Sequence, residues 1–366
     1  MRRLFDARRP TAVNLGLGEP ANPVPNELLD AGVARFREKR PGYTLNAGML
    51  NLREKILAWY ALPHMKHPKN VTITVGAQGA LVATLMAIAD PGDEIIVGDP
   101  AFWTYRVVAE MLGMKVIAVP QDRRSGFALD VDAMVAAIGP RTRAIVLNSP
   151  SNPTGRVDSE DRLRALVAAT EKSGVWIISD EVYREIYYGE TKPPSASTFS
   201  DRAIVVSSLS KTCSMTGFRL GWVLAPDAIT DAIASVHQYN VSCATTISQF
   251  VALEAFSNPD WLATNRPRFT KQRSAMLAAL DQHLKMPYFP TEGGFFVFLD
   301  MSALGIPSLT LAERLLSEAD VVTVPGIAFG PGGEGHLRIS FAESEENIVE
   351  GIRRIAGFVE KAQRLS

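Results

Sequence analysis

Short β-branched runs alternate with longer helical patterns through the first two-thirds of the chain, and this alternation constrains the fold most strongly. "VTITV" (71–75), "EIIVG" (94–98), "KVIAV" (115–119), "RAIVLN" (143–148), "VWIIS" (175–179) and "AIVVS" (203–207) each read as a buried strand. "AQGALVATLMAIA" (77–89) reads as a helix with an almost wholly apolar surface. The expected class is therefore an α/β layer fold, in which ligands sit outside the carboxyl ends of the strands. Beyond about residue 260 the pattern changes. "NPDWLATNRPRFTKQRSAMLAALDQHL" predicts one long helix with a proline early in it. "GGFFVFLD" and "HLRISFA" predict short strands separated by a helical "LTLAERLLSEA", a second, smaller α+β unit. "GPGGEG" (330–335) precedes a strand and opens no helix, so it reads as a turn rather than a phosphate loop.

Composition narrows the partners. With 366 residues and a formal net charge of −1, the chain has no electrostatic case for nucleic acid or an anionic membrane surface. No run approaches the roughly 20 apolar residues of a membrane helix. The basic start "MRRLFDARRP" leads into no apolar stretch of signal-peptide length. Cys213 and Cys243 form neither a metal-ligand spacing nor a disulfide framework, so a reducing cytoplasm is the expected compartment. His64 and His67 lie beside Pro63 and Pro68 and read as a loop, and no metal is expected.

Three stretches after strands carry unusual polar residues. "DEVY" places Asp180 at a strand mouth with Tyr183 a turn beyond; "SLSK" offers Ser208, Ser210 and Lys211; "SPSNPTG" sets Asn152 before Pro153. Taken singly, Asp180 suits a helix cap, "NPTG" a turn and Lys211 the surface. Pyridoxal phosphate needs them all: a lysine for a Schiff base, a carboxylate for the pyridine nitrogen, donors for the phenolic oxygen, and hydroxyls with a cation for the phosphate. An arginine at 219 and a helix starting after "TVGAQGA" fit the last demand.

These residues carry a resemblance. "SLSKTCSMTGFRLGW", "NSPSNPTG" and "SDEVY" resemble, in order and spacing, the signatures of class I/II aminotransferases of the fold-type I pyridoxal-phosphate superfamily, and the likeness runs from "NLGLGEP" to "LRISFA". The resemblance implies a large domain (30–262) with a mostly parallel seven-stranded sheet covered by helices, and a small α+β domain from 1–29 and 263–366. It implies Lys211 as Schiff-base lysine and proton carrier, Asp180 as partner of the pyridine nitrogen, and Tyr183 and Asn152 as partners of the phenolic oxygen. Ala77, Gln78, Ser208, Ser210 and Arg219 would hold the phosphate, and Phe102 would stack on the cofactor. Arg338 would grip the substrate carboxylate, beside Gly18 and Asn152. Strand alternation turns Arg338 and Ser340 away from Leu337 and Ile339. Tyr43 matches a tyrosine that reaches the phosphate of a neighbouring subunit, implying a homodimer with shared sites. Pro100 and Pro153 match cis prolines of the family.

The implied reaction is ping-pong transfer of an amino group from an L-amino acid to a 2-oxo acid. A pyridoxal-phosphate C–S β-lyase on the same fold stays open. A regulatory cofactor-binding protein would carry a helix-turn-helix domain ahead of "NLGLGEP", and a nicotinamide oxidoreductase would need G-x-G-x-x-G where "VTITVGAQGAL" stands. The stretch 237–249 is expected near the pocket. Its Tyr239, with Trp103, favours aromatic or other large side chains, while Phe102 and Cys213, where many relatives carry tyrosine, do not decide against aspartate.

Overall fold

The computed structural model describes residues 9–39 and 41–365; most of the basic start of the chain therefore lies outside the described residues. Among the described residues twelve strands, β1 to β12, occur in chain order: Val13–Asn14, Val71–Thr74, Glu94–Asp99, Lys115–Pro120, Thr142–Asn148, Trp176–Asp180, Ala203–Ser208, Gly221–Leu224, Phe296–Asp300, Val321–Val322, Val324–Pro325 and His336–Ser340. Each of the six runs picked out by their β-branched residues is a strand, within a residue or two at either end. They join a seven-stranded sheet of order β2-β8-β7-β6-β5-β3-β4. Only β8 runs against its neighbours. This strand escapes a reading of the sequence because "GWVL" is four residues long and begins on a glycine.

Gly221 explains how β8 fits. A Cβ there would lie 2.5 Å from the Gly76 carbonyl carbon and 2.7 Å from the Ala77 nitrogen. Only glycine lets this strand close against the start of the helix Gly76–Ile88. The apolar surface of that helix is buried between the sheet and the helix Asp227–Val241, in a cluster with Ile95, Val97, Ile178 and Val206. Burying each such aliphatic side chain contributes about 1.5–3 kcal/mol, which is why the sheet's strands read as continuous apolar runs.

A second core draws on residues near both ends of the described chain. Strands β9, β11 and β12 form an antiparallel sheet, and β1 pairs in parallel with β10. Val13 and Leu15 join Phe269, Phe295, Phe296, Leu337, Ile339 and Ile352 in one core. The helix expected from residue 258 onward is broken into Asp260–Ala263 and Asn265–Ala279, followed by a π turn, Leu280–Leu284. Pro267 sits in the first turn of the second helix, where its missing N–H costs no helical bond, so the chain breaks ahead of it. "GPGGEG" forms a single 3₁₀ turn, Pro331–Gly333, ahead of β12, and the Gly332 N–H donates to Asp99 Oδ1 at 3.0 Å.

Candidate active site

The carboxyl ends of β5, β6 and β7 place Asn148, Asp180 and Ser208 side by side, with Asn148 in register with Asp180. Above them opens a cavity of about 340 Å³. Every expected site residue except Tyr43 lines it: Gly18, Ala77, Gln78, Phe102, Asn152, Asp180, Tyr183, Ser208, Ser210, Lys211, Arg219 and Arg338. Tyr43 is 90% exposed and lies instead on a shallow apolar groove with Leu45, Leu50 and Phe250. Tyr239 is also exposed and outside the cavity, whereas Trp103 lines it. Cys213 turns into the core, where burial pushes its thiol up to about 12, so it does not shape the pocket.

Lys211 stands in a one-turn helix, Leu209–Thr212, directly after β7. Its Nζ donates to the Gly18 carbonyl at 2.5 Å. Burial lowers the ammonium to about 8, against the pull of Glu19 and helped by the positive charges of Arg338 and Arg219. Asp180 is the last residue of β6 rather than a helix cap, and Tyr183 follows in a turn rather than a helix. Burial raises the Asp180 carboxyl to about 6, opposed by hydrogen bonds from the Tyr105 hydroxyl (2.7 Å) and the Val182 N–H (3.2 Å). Tyr183 packs edge-on against Phe295 and Phe296, and burial raises its phenol well above the ordinary range.

Arg338 is the most unusual residue of the cavity. Its alternation on β12 is as expected, but the strand is buried throughout, so the side chain turns into the interior rather than to water. Nη1 donates to Asn152 Oδ1 at 3.0 Å and Nη2 to the Gly16 carbonyl at 2.6 Å, while Nε has no partner. The guanidinium lies 4.2 Å from the centre of the Phe296 ring, and burial lowers it to about 10. Neutral acceptors and an aromatic face hold this cation; no carboxylate among the described residues forms an ion pair with it. Burying an unpaired charge is costly. The arrangement is suited to a carboxylate ligand.

A second group of donors suited to an anion lines the same cavity. The helix Gly76–Ile88 has no side-chain cap at its start, so its first N–H groups face the ligand space near Ala77 and Gln78. Gly76 has φ +68°, and a Cβ there would come within 2.6 Å of Arg219 Nη2. Arg219, itself left-handed at φ 50°, thereby lays its guanidinium over the helix start, with Nη1 donating to the Thr216 carbonyl at 2.9 Å. Ser208 and Ser210 complete the cradle's lining. The Asp99–Pro100 and Asn152–Pro153 bonds are cis, as the resemblance implied, and so is Ser149–Pro150.

Two contributors, half-buried Asn148 and buried Tyr105, escape sequence reading. Asn148 donates from Nδ2 to the Asp180 carbonyl at 3.1 Å and accepts from the Asn152 N–H at 2.7 Å, tying two cavity walls together. Its signal was its place as the last residue of a buried strand. Tyr105 lies in the first turn of the helix Thr104–Met111, three residues beyond Phe102, and its ring stands edge-on to that of Phe102.

The sequence profile of the family described as Aminotransferase class I and II matches residues 10–355. A probable aspartate/prephenate aminotransferase of Aquifex aeolicus is 37% identical over 362 residues, covering 95% of this chain and 91% of its own. The crystal structure of an aromatic aminotransferase from Pyrococcus horikoshii superposes with a TM-score of 0.92 at 29% identity, covering 100% of both chains. A double mutant of the aspartate aminotransferase of Thermus thermophilus superposes at 0.89 with 31% identity, covering 98% of this chain and 99% of its own.

Proposed function

Because this chain belongs to the class I and II aminotransferases, we propose that its cavity binds pyridoxal 5′-phosphate and an amino acid in the positions its charges mark out. The chain is an aminotransferase, moving an amino group between an L-amino acid and a 2-oxo acid. The relatives compared above are named aminotransferases, and none favours the C–S lyase. One observation carries the assignment of the site: Arg338, buried and without an ion-pair partner among the described residues, faces the same cavity as Lys211 and Asp180. Two groups of cationic and N–H donors lining one cavity with a half-buried amine and a buried carboxylate fit a cofactor phosphate and a substrate carboxylate.

In this reading the Ala77–Gln78 helix start, Ser208, Ser210 and Arg219 hold the phosphate. Asp180 keeps the pyridine nitrogen protonated, Tyr183 and Asn152 donate to the phenolic oxygen, and Phe102 packs against the ring. When bound, the cofactor supplies an electron sink for the charge left when the substrate's Cα–H bond breaks. Arg338 takes the substrate carboxylate as a bidentate pair next to Gly18, fixing which Cα bond stands ready to break. Lys211 holds the cofactor aldehyde at rest and, once the substrate amine displaces it, carries the proton away from Cα. With its ammonium lowered to about 8, about a tenth of it is already neutral at pH 7, where an ordinary lysine is almost wholly charged.

Aromatic or other large donors are the proposed substrates, since Leu17, Phe102 and Trp103 give the cavity an apolar wall. We propose a homodimer in which Tyr43 serves the partner's site; what supports it is the exposure of Tyr43 beside Leu45 and Leu50. Cytoplasmic residence is supported by two free thiols, Cys213 and Cys243. Among the described residues no helix is long and apolar enough to cross a membrane. The proposed domains remain 30–262 and 1–29 with 263–366. The boundary at 30 falls inside the helix Asn26–Lys39, whose Leu28 packs with Leu52 and Ile56 of the larger unit.

The test is a single-turnover spectrum. The cofactor-loaded enzyme is mixed with phenylalanine, tyrosine, aspartate, glutamate and other L-amino acids without an oxo-acid acceptor. Conversion of the visible band to the pyridoxamine spectrum, reversed by a 2-oxo acid, supports the reading and names the donors. A persistent band with accumulating ammonia or thiol would overturn it.

A further inference from the structure

The Asp180 carboxylate is held by a residue outside the signatures that mark the site. Tyr105 reaches it from the helix Thr104–Met111, which follows β3, and its hydroxyl donates to Asp180 Oδ2 at 2.7 Å. The other oxygen, Oδ1, accepts from the Val182 N–H. Tyr105 is 3% exposed, with its ring packed among Ala80, Ile95 and Ile178 and edge-on to Phe102. Its phenol is raised well above the ordinary range by burial and by the Asp180 charge, so it keeps its proton and acts as donor.

We propose that Tyr105 is a positioning residue for Asp180, fixing the carboxylate's orientation and keeping it anionic against burial so that it can hold a protonated ring nitrogen. This rests on the reading of Asp180 given above. The groups that bear on Asp180 are few. Glu181 beside it adds negative charge and favours its protonation; Lys211, from the helix after β7, favours the anion; Tyr183 from the following turn is a neutral phenol. Tyr105 is the one side chain among the described residues that donates a hydrogen bond to the carboxylate oxygens. A hydrogen bond to a buried anion is among the strongest a side chain makes, and loss of its donor raises the proton affinity of the carboxylate about tenfold or more. The proton shared between Asp180 and the ring nitrogen would then move toward Asp180.

The experiment loads wild-type enzyme and Tyr105→Phe with cofactor labelled with ¹⁵N in the ring, and compares the nitrogen resonance and steady-state kinetics. Wild type should give the protonated-nitrogen shift. Y105F should move toward the unprotonated value, with kcat about tenfold lower and KM for the amino acid changed less than twofold. In an Asp180→Asn background, Y105F should change the resonance no further. An unchanged resonance in Y105F, beside a protonated wild type, overturns the inference and leaves the Asp180 reading standing. A wild-type nitrogen that reads unprotonated overturns both. Should Y105F fail to fold, 3-fluorotyrosine at position 105 keeps the ring and donates more strongly. The nitrogen should then keep its protonated shift to higher pH than in wild type, and an unchanged pH titration of the resonance overturns the inference.

Discussion

Asp180→Asn should stabilise the cofactor-free protein while disabling the loaded one. In the cofactor-free chain the carboxyl is raised from 3.8 to about 6, chiefly by burial. Below pH 3.8 both folded and unfolded chains hold the proton, and the group leaves stability unchanged. Between there and about 6 the unfolded chain gives up its proton first, so the native state loses ground as pH rises. Linkage puts that loss at about 1.5 kcal/mol at pH 5 and about 3 kcal/mol at pH 8, where it levels off. Asparagine carries no charge and escapes it. Its oxygen can accept from the Val182 N–H while its amide donates to the Tyr105 oxygen, so the replacement gives back about 1 kcal/mol in weaker hydrogen bonds. Urea unfolding of cofactor-free D180N and wild type at pH 5 and pH 8 checks this. The expected net gain is about 2 kcal/mol at pH 8 and well under 1 kcal/mol at pH 5. A variant no more stable than wild type at pH 8, with no dependence on pH, would refute the reasoning. The same variant loaded with cofactor should lose most of its turnover, since the ring nitrogen has no other buried carboxylate lining the cavity.

Three further outcomes follow from the geometry. Lys211→Ala should end amino-group cycling yet still bind cofactor through the phosphate cradle, which absorbance after gel filtration would reveal; cycling at the wild-type rate would contradict the proton-carrier role. Gly76→Ala forces a left-handed alanine against Arg219, costing about 1–2 kcal/mol of stability and weakening cofactor affinity at least tenfold, as read by fluorescence titration. Asn148→Ala removes both bonds between the Asp180 and Asn152 segments and should cost about 1–3 kcal/mol in urea unfolding, with a lower kcat.

Much of this architecture is legible along the chain because buried parallel strands are runs of apolar β-branched residues, and the polar residues that interrupt them stand at the strand ends. Lys211, Asp180 and Asn152 announce themselves in that way. Arg338 is legible only through the resemblance: one arginine on an alternating strand looks the same whether it faces water or a buried cavity. What tells them apart is the burial of both faces of β12, a tertiary fact. Tyr105 is hidden for the same reason, since its partner lies 75 residues away and nothing local requires it to be polar. The shortness of β8 and the break ahead of Pro267 also depend on how neighbouring elements close, through Gly221 on Gly76 and through the end of one helix meeting the first turn of the next.

Borohydride reduction tests most directly whether Lys211 holds the cofactor. Cofactor-loaded enzyme is reduced, digested and mapped by mass spectrometry. A stable pyridoxyl adduct is expected on the peptide carrying Lys211 and on no other lysine. An adduct elsewhere, or none on a protein that retains its visible band, would contradict it.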